Sequence, residues 1–248
     1  MEKFSFYSLL TILFSGFIFI LMINGIYEVI LFGDVPAEEL KNSITGRIMS
    51  NWETLLVASV VVGSAIYAFS FFLVNNWKFI YRFPGLCVNV TKLFYQNQMP
   101  SFMYEKLNNK AKEWYGKDIF PENSIYGRLP DVEKENIVKL QGEFYDRMYY
   151  ELDYEGKLEA AKEFQSIYIF FRNLFISSVI ALLLLIVVII INVFQHGFLE
   201  AFNTSCVILS IYIGIFILSI AVAKWFRKRM VSKMYWYFYI HLNCKKSS

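Results

Sequence analysis

Apolar residues in this chain fall into four long blocks, each free of Asp, Glu, Lys and Arg. Phe4 to Tyr27 runs uncharged for 24 residues, Thr54 to Trp77 for 24, Asn173 to Gln195 for 23 and Ala201 to Ala223 for 23. At about 1.5 Å of rise per residue, a helix of this length crosses a hydrocarbon core of roughly 30 Å. The third block is the densest, with Ser178 to Ile191 reading SVIALLLLIVVIII. The first block far exceeds the ~7–15 apolar residues of a secretory leader. It is read as a retained span, although Val35-Pro36-Ala37 faintly resembles a cleavage site. The pattern predicts an all-α integral membrane protein with four transmembrane helices and a cytoplasmic helical segment between helices 2 and 3.

The expected organisation is a transmembrane hairpin at 1–77, a helical segment at 78–165, a second hairpin at 166–233 and an aromatic interfacial tail at 234–248, which extends span four either at the interface or within a helix bundle. The first loop holds an acidic run with Pro36, and Gln195-His196-Gly197 reads as a tight reversal between spans three and four. Residues 78–130 contain eight Lys/Arg and four Asp/Glu, whereas residues 131–165 contain five and ten, so the segment divides by sign. Pro84, Pro100, Pro121 and Pro130 break the basic half into short helices and turns. In the acidic half Asp131 is placed to cap a helix. Val132, Ile137, Val138, Leu140, Phe144, Tyr145, Met148 and Leu152 then recur at helical spacing. A second stretch after Gly156 leads into span three, which predicts one long helix kinked near Gly156.

Charge orients the spans. Lys3 precedes span one, Lys78 and Arg82 follow span two, and Lys157 and Lys162 precede span three. Lys224, Arg227, Lys228, Arg229 and Lys233 follow span four. Basic residues favour the cytoplasmic side, so both termini and the central segment are expected there, in a multi-pass protein of the inner (plasma) membrane. At 56% hydrophobic the chain exceeds a soluble domain of its size. Cys87, Cys206 and Cys244 form no CxxC pair and no metal-ligand spacing, so no disulfide framework and no cofactor are expected.

Glu28 near the end of span one is a candidate intramembrane polar residue, with Asn24 one turn earlier on the same face. Carboxylates in lipid usually face protein or a water path, so the pair reads as the rim of a pore or as an outer-interface residue that snorkels. In span two Ser59, Gly63 and Ser70 share a small-residue face suited to close helix packing within the protomer, to packing between protomers or to lining a narrow channel. Arg172 and Asn173 stand at the entrance of span three, as headgroup anchors, as partners for a carboxylate or as a basic constriction for anions. Asn192 near its far end suits a helix-to-helix hydrogen bond. Glu151, Glu155, Glu159 and Glu163 recur every four residues, forming one acidic edge. That edge reads as a solvated face or as a vestibule that gathers cations, partly compensated by Asp153–Lys157 and Glu159–Lys162 pairs.

Signals for catalysis are poor. His196 and His241 are the only histidines, and HExxH, GxSxG and P-loop patterns are absent. No enzyme activity is expected. The scattered lysines of the basic half form no recognisable nucleic-acid module.

The run Phe164-Gln165-Ser166-Ile167-Tyr168-Ile169-Phe170-Phe171-Arg172-Asn173-Leu174-Phe175 delivers an Arg-Asn pair into span three on an aromatic-rich helix. With the four-span layout, it resembles the small multipass effector proteins of bacterial anti-phage defence systems. The resemblance implies an oligomer that permeabilises or depolarises the membrane when released by a regulatory cytoplasmic protein or a nucleotide signal. The expected function is therefore an oligomeric ion channel or pore in the lipid bilayer, built from several copies. The alternative is a non-conducting membrane anchor that positions a cytoplasmic partner through residues 78–165.

Overall fold

The computed structural model describes residues 6–30, 51–76, 100–121 and 127–244. The first loop, the segment around Pro84 and Cys87, and the side chains of Glu28 and His196 lie outside the described residues. Among those described, the chain is all-helical. Its six helices are α1 (Phe6–Ile30), α2 (Trp52–Asn76), α3 (Ser101–Tyr115), α4 (Asp131–Tyr154), α5 (Glu159–His196) and α6 (Phe198–Cys244). Four of them, α1, α2, α5 and α6, are long and apolar enough to cross a membrane. Contacts divide the chain into two compact units, Met1–Cys87 with Ser166–Lys224, and Val88–Gln165 with Trp225–Ser248.

Helix boundaries follow from local chemistry. Oδ1 of Asn51 accepts the backbone N–H of Glu53 at 3.0 Å and caps α2. Pro100 and Pro130 each stand immediately before a helix. Asp131 is thus the first helical residue rather than the cap, and its carboxylate takes Lys134 Nζ at 3.2 Å. Gly116, at φ 68°, ends α3 in the left-handed conformation, and its N–H reaches the Lys112 carbonyl. Gly197, at φ 91°, is the single residue between α5 and α6, the reversal expected at Gln195-His196-Gly197.

In the first unit, α1 and α2 approach closely. A Cβ on Gly16 would fall on the Ser59 backbone carbonyl, and one on Gly63 would fall on that of Ile12. Both positions therefore need glycine for packing, as small residues allow between helices in lipid. Met22 and Ile26 of α1 pack with Ala181 and Leu185 of α5 and Tyr212 of α6. Leu73 of α2 packs with Phe175 and Ile176 of α5, joined by Phe216 and Ile220 of α6. Helix α5 thus touches all three other spanning helices. The outward faces carry exposed Val57, Val61, Phe71, Val187, Ile190, Val207 and Ile217, the arrangement expected where lipid is the solvent.

The second unit has its own apolar core. Ile137, Gln141, Phe144, Met148 and Leu152 form the buried face of α4. Against them lie Met103, Leu107 and Ala111 of α3, Leu158 and Ala161, and Met230, Val231, Met234, Tyr235 and Phe238 of α6. Phe144 packs edge-on against both Phe120 and Phe238, with centroids 5.4 and 6.0 Å apart. The residues from Met234 continue α6, the helix-bundle form of the expected extension of span four, and supply part of this core. Val132, expected on the apolar face, is 80% exposed, because the buried stripe begins one turn into the helix.

Candidate functional site: a buried polar layer in the spanning helices

Polar side chains inside an apolar bundle are expensive unless bonded, so their positions are informative. One layer gathers Tyr67 and Ser70 of α2 with Arg172, Asn173 and Ser177 of α5. Asn173 and Ser177 are wholly buried, and Arg172 is 6% exposed. Residues 173 and 177 stand four apart, on the same helix face. Ser70 and Tyr67 stand three apart on α2.

Ser70 Oγ lies 2.7 Å from Asn173 Oδ1 and donates to it, with its own helix's Tyr67 carbonyl also 2.9 Å away. The Arg172 guanidinium lies over the Tyr67 ring, 5.6 Å from its centroid, a cation–π arrangement that strengthens as water is excluded. Asn173 Nδ2 and Ser177 Oγ are buried and meet no hydrogen-bond partner. Ser178, beside them, satisfies itself on the Phe175 carbonyl at 2.7 Å. At the start of this region Thr11 of α1 donates to the Ser166 carbonyl at 3.2 Å. The layer therefore holds one fixed positive charge and two buried groups whose hydrogen-bonding capacity is unspent.

Other sequence candidates fall elsewhere. Asn192 is buried and Asn24 half-buried, while the Glu28 side chain lies outside the described residues. Ser59 is buried and donates to the Leu55 carbonyl at 2.7 Å. It belongs to the α1–α2 contact along with Gly63, whereas Ser70 belongs to the polar layer. Tyr212 donates to the Met22 carbonyl of α1, and Gly25 leaves the room for its hydroxyl, since a Cβ there would lie 2.8 Å from that oxygen.

The acidic edge is not one edge. Helix α4 ends at Tyr154, and Gly156 at φ 70° breaks the register before α5 begins at Glu159. Glu151 and Glu155 lie on one side of the break, and both turn to His241. The imidazole is 1% exposed, with Nε2 3.0 Å from Glu151 Oε1 and Nδ1 2.9 Å from Glu155 Oε2. Lys157 Nζ sits 2.6 Å from the same Glu155 oxygen and 3.2 Å from Nδ1. The neutral ring can donate to Glu151 while accepting from Lys157; the imidazolium donates to both carboxylates. The ring also stacks on Phe238. The ion pairs formed are Lys157–Glu155 and Lys162–Asp153, not Asp153–Lys157 and Glu159–Lys162, because residues 155–158 form a turn and shift the spacing. Glu159 and Glu163 line an open groove of about 470 Å³ with Lys157, Tyr237 and Ile240.

The sequence reading missed His241 as a partner for this ladder. The only signal was a histidine in an otherwise aromatic run, and its 90-residue separation from Glu151 hid the contact. Burial raises the Tyr145 hydroxyl in the same unit to about 12. Partial burial, and then the neighbouring Glu143, raise the Asp146 carboxyl above its ordinary range. Among the described residues no group of three or more His, Cys, Asp or Glu is arranged to hold a metal ion.

These features define a multi-pass membrane protein, helical through its described residues, with a polar layer inside its spanning helices. Comparisons with protein-family models, curated proteins and solved structures found no match to this chain.

Proposed function

We propose that this chain is the subunit of an oligomeric ion channel or pore of the inner (plasma) membrane. The observation that carries this reading is the buried layer of Ser70, Arg172, Asn173 and Ser177. An ionisable side chain kept inside spanning helices is costly, and such residues commonly mark ion paths. Apolar clusters around α5 fill much of the bundle of one protomer, so the path opens at this layer only in an assembly of several copies. Both termini and residues 78–165 lie on the cytoplasmic side, a placement supported by the basic residues that flank the spans on that side. A membrane-damaging defence effector, triggered by a cytoplasmic protein or a nucleotide signal, is the biological form of this function that the sequence resemblance supports.

The test is direct. Full-length protein in detergent is expected to run as a symmetric oligomer, and in liposomes to pass ions. A monomer in detergent together with tight liposomes would overturn the proposal. One observation favours a second reading, a non-conducting anchor. The second unit has its own tightly packed core, enough to present a folded surface to a partner. That reading predicts partner binding by the full chain and no flux under any trigger.

A further inference from the structure

We infer that the buried polar layer is an anion-binding site and that the ions it passes are anions. The second half of this statement rests on the channel reading; the first stands without it. Asn173 is wholly buried, and its Oδ1 is already occupied by the Ser70 hydroxyl at 2.7 Å. What remains is Nδ2, which can only donate and meets no acceptor in the protein. One turn along the same face, the buried Ser177 hydroxyl is likewise unpartnered. A buried donor left unsatisfied costs roughly 1–3 kcal/mol, and here two sit on one helix face, one of them on the residue that follows Arg172.

The ligand that satisfies both donors is an acceptor, and the positive charge on the residue before Asn173 favours a negative one. A small inorganic anion accepts from Asn173 Nδ2 and from the Ser177 hydroxyl, and the positive charge of Arg172 on the preceding residue adds long-range attraction. The Tyr67 ring helps to hold that guanidinium in place, 5.6 Å from the ring centroid. A cation would meet the amide NH2 and the guanidinium with the wrong sign. Hydrogen bonds to charged ligands are the strong ones, and in this buried setting they discriminate by sign.

Two measurements on the full chain separate the site from the channel. In detergent, chloride, bromide and nitrate at constant sodium are expected to raise the melting temperature over gluconate. Exchanging sodium for potassium or choline at constant chloride is expected to change nothing. Asn173→Leu and Ser177→Ala should each abolish the anion effect. In planar bilayers the reversal potential should favour chloride over potassium by about 10-fold or more, the discrimination that one hydrogen bond to a charged ligand supplies. Ser177→Ala should reduce that ratio. Anion-dependent stabilisation without any conductance leaves the site standing and removes the channel. Cation selectivity, or stabilisation that follows the cation, overturns the inference. It would mean that Ser70 gives its proton to the Tyr67 carbonyl and Asn173 presents Oδ1 instead. Equal stabilisation by every salt overturns it as well. Should the variants fail to fold, the ion dependence of the unaltered protein alone decides.

Discussion

Ser70 of α2 donates its hydroxyl proton to Oδ1 of Asn173 on α5, across 2.7 Å and with both side chains wholly buried. They are 103 residues apart in sequence. The bond ties the first hairpin to the third spanning helix at the level where the guanidinium of Arg172 is buried.

Ser70→Ala removes the donor and leaves the Asn173 carbonyl oxygen unmatched in an apolar setting. Helix-to-helix hydrogen bonds in membranes contribute about 0.5–2 kcal/mol, and a loss in that range is expected. Chemical or thermal unfolding in detergent measures it. Ser70→Thr, which keeps the hydroxyl, should recover most of the loss; an Ala variant as stable as the parent would show that the bond contributes nothing.

The α1–α2 contact makes a sharper demand. Gly63→Ala places a methyl group against the Ile12 carbonyl and Gly16→Ala places one against that of Ser59, both backbone atoms that cannot swing aside. Each variant is expected to cost about 1–3 kcal/mol through forced separation of the helices. Gly214→Ala, where a Cβ meets nothing within 4 Å, serves as the neutral control in the same melts.

Removing the imidazole exposes a conflict between carboxylates. His241→Ala leaves Glu151 and Glu155 without the imidazole they share. A loss of about 1–3 kcal/mol is expected. Combining it with Glu151→Gln should cost less than the sum of the two single changes. Strict additivity in that double-mutant cycle would dismiss the contact as energetically idle.

Alkaline stability should depend on Tyr145. Its folded hydroxyl is held at about 12, chiefly by burial, above an unfolded value near 10. Between those values the folded state holds a proton that the unfolded state has released. Stability is therefore intact below about pH 10 and declines as pH rises toward 12, by about 2–3 kcal/mol in total. Tyr145→Phe should lack this component of the decline, which the difference between the two pH profiles isolates. Parallel profiles would contradict the assignment.

The membrane character was legible from runs of uncharged residues, because a helix that crosses lipid must be apolar over about 20 residues. The Gly197 reversal and the buried positions Ile137, Phe144, Met148 and Leu152 were equally readable, since period and backbone permissiveness are local properties. The polar layer was half legible. Arg172 and Asn173 announced themselves by standing at the edge of an apolar run, but Ser70 was read as a packing residue. A serine among small residues looks the same whether it bonds its own helix or a distant one.

The acidic ladder shows where local reading fails. Four glutamates at a four-residue period imply one exposed edge only if the helix is continuous, and the left-handed turn at Gly156 ends that continuity. The sequence alone therefore determined four helices able to span a membrane, their approximate limits and the polar residues worth watching. Tertiary structure alone decided that Asn173 turns one side of its amide to Ser70, that Gly63 lies under Ile12, and that His241 returns to Glu151 and Glu155. Spans are set by the solvent along each segment, which composition records. Partnerships between distant side chains are set by how helices meet, which no single segment encodes.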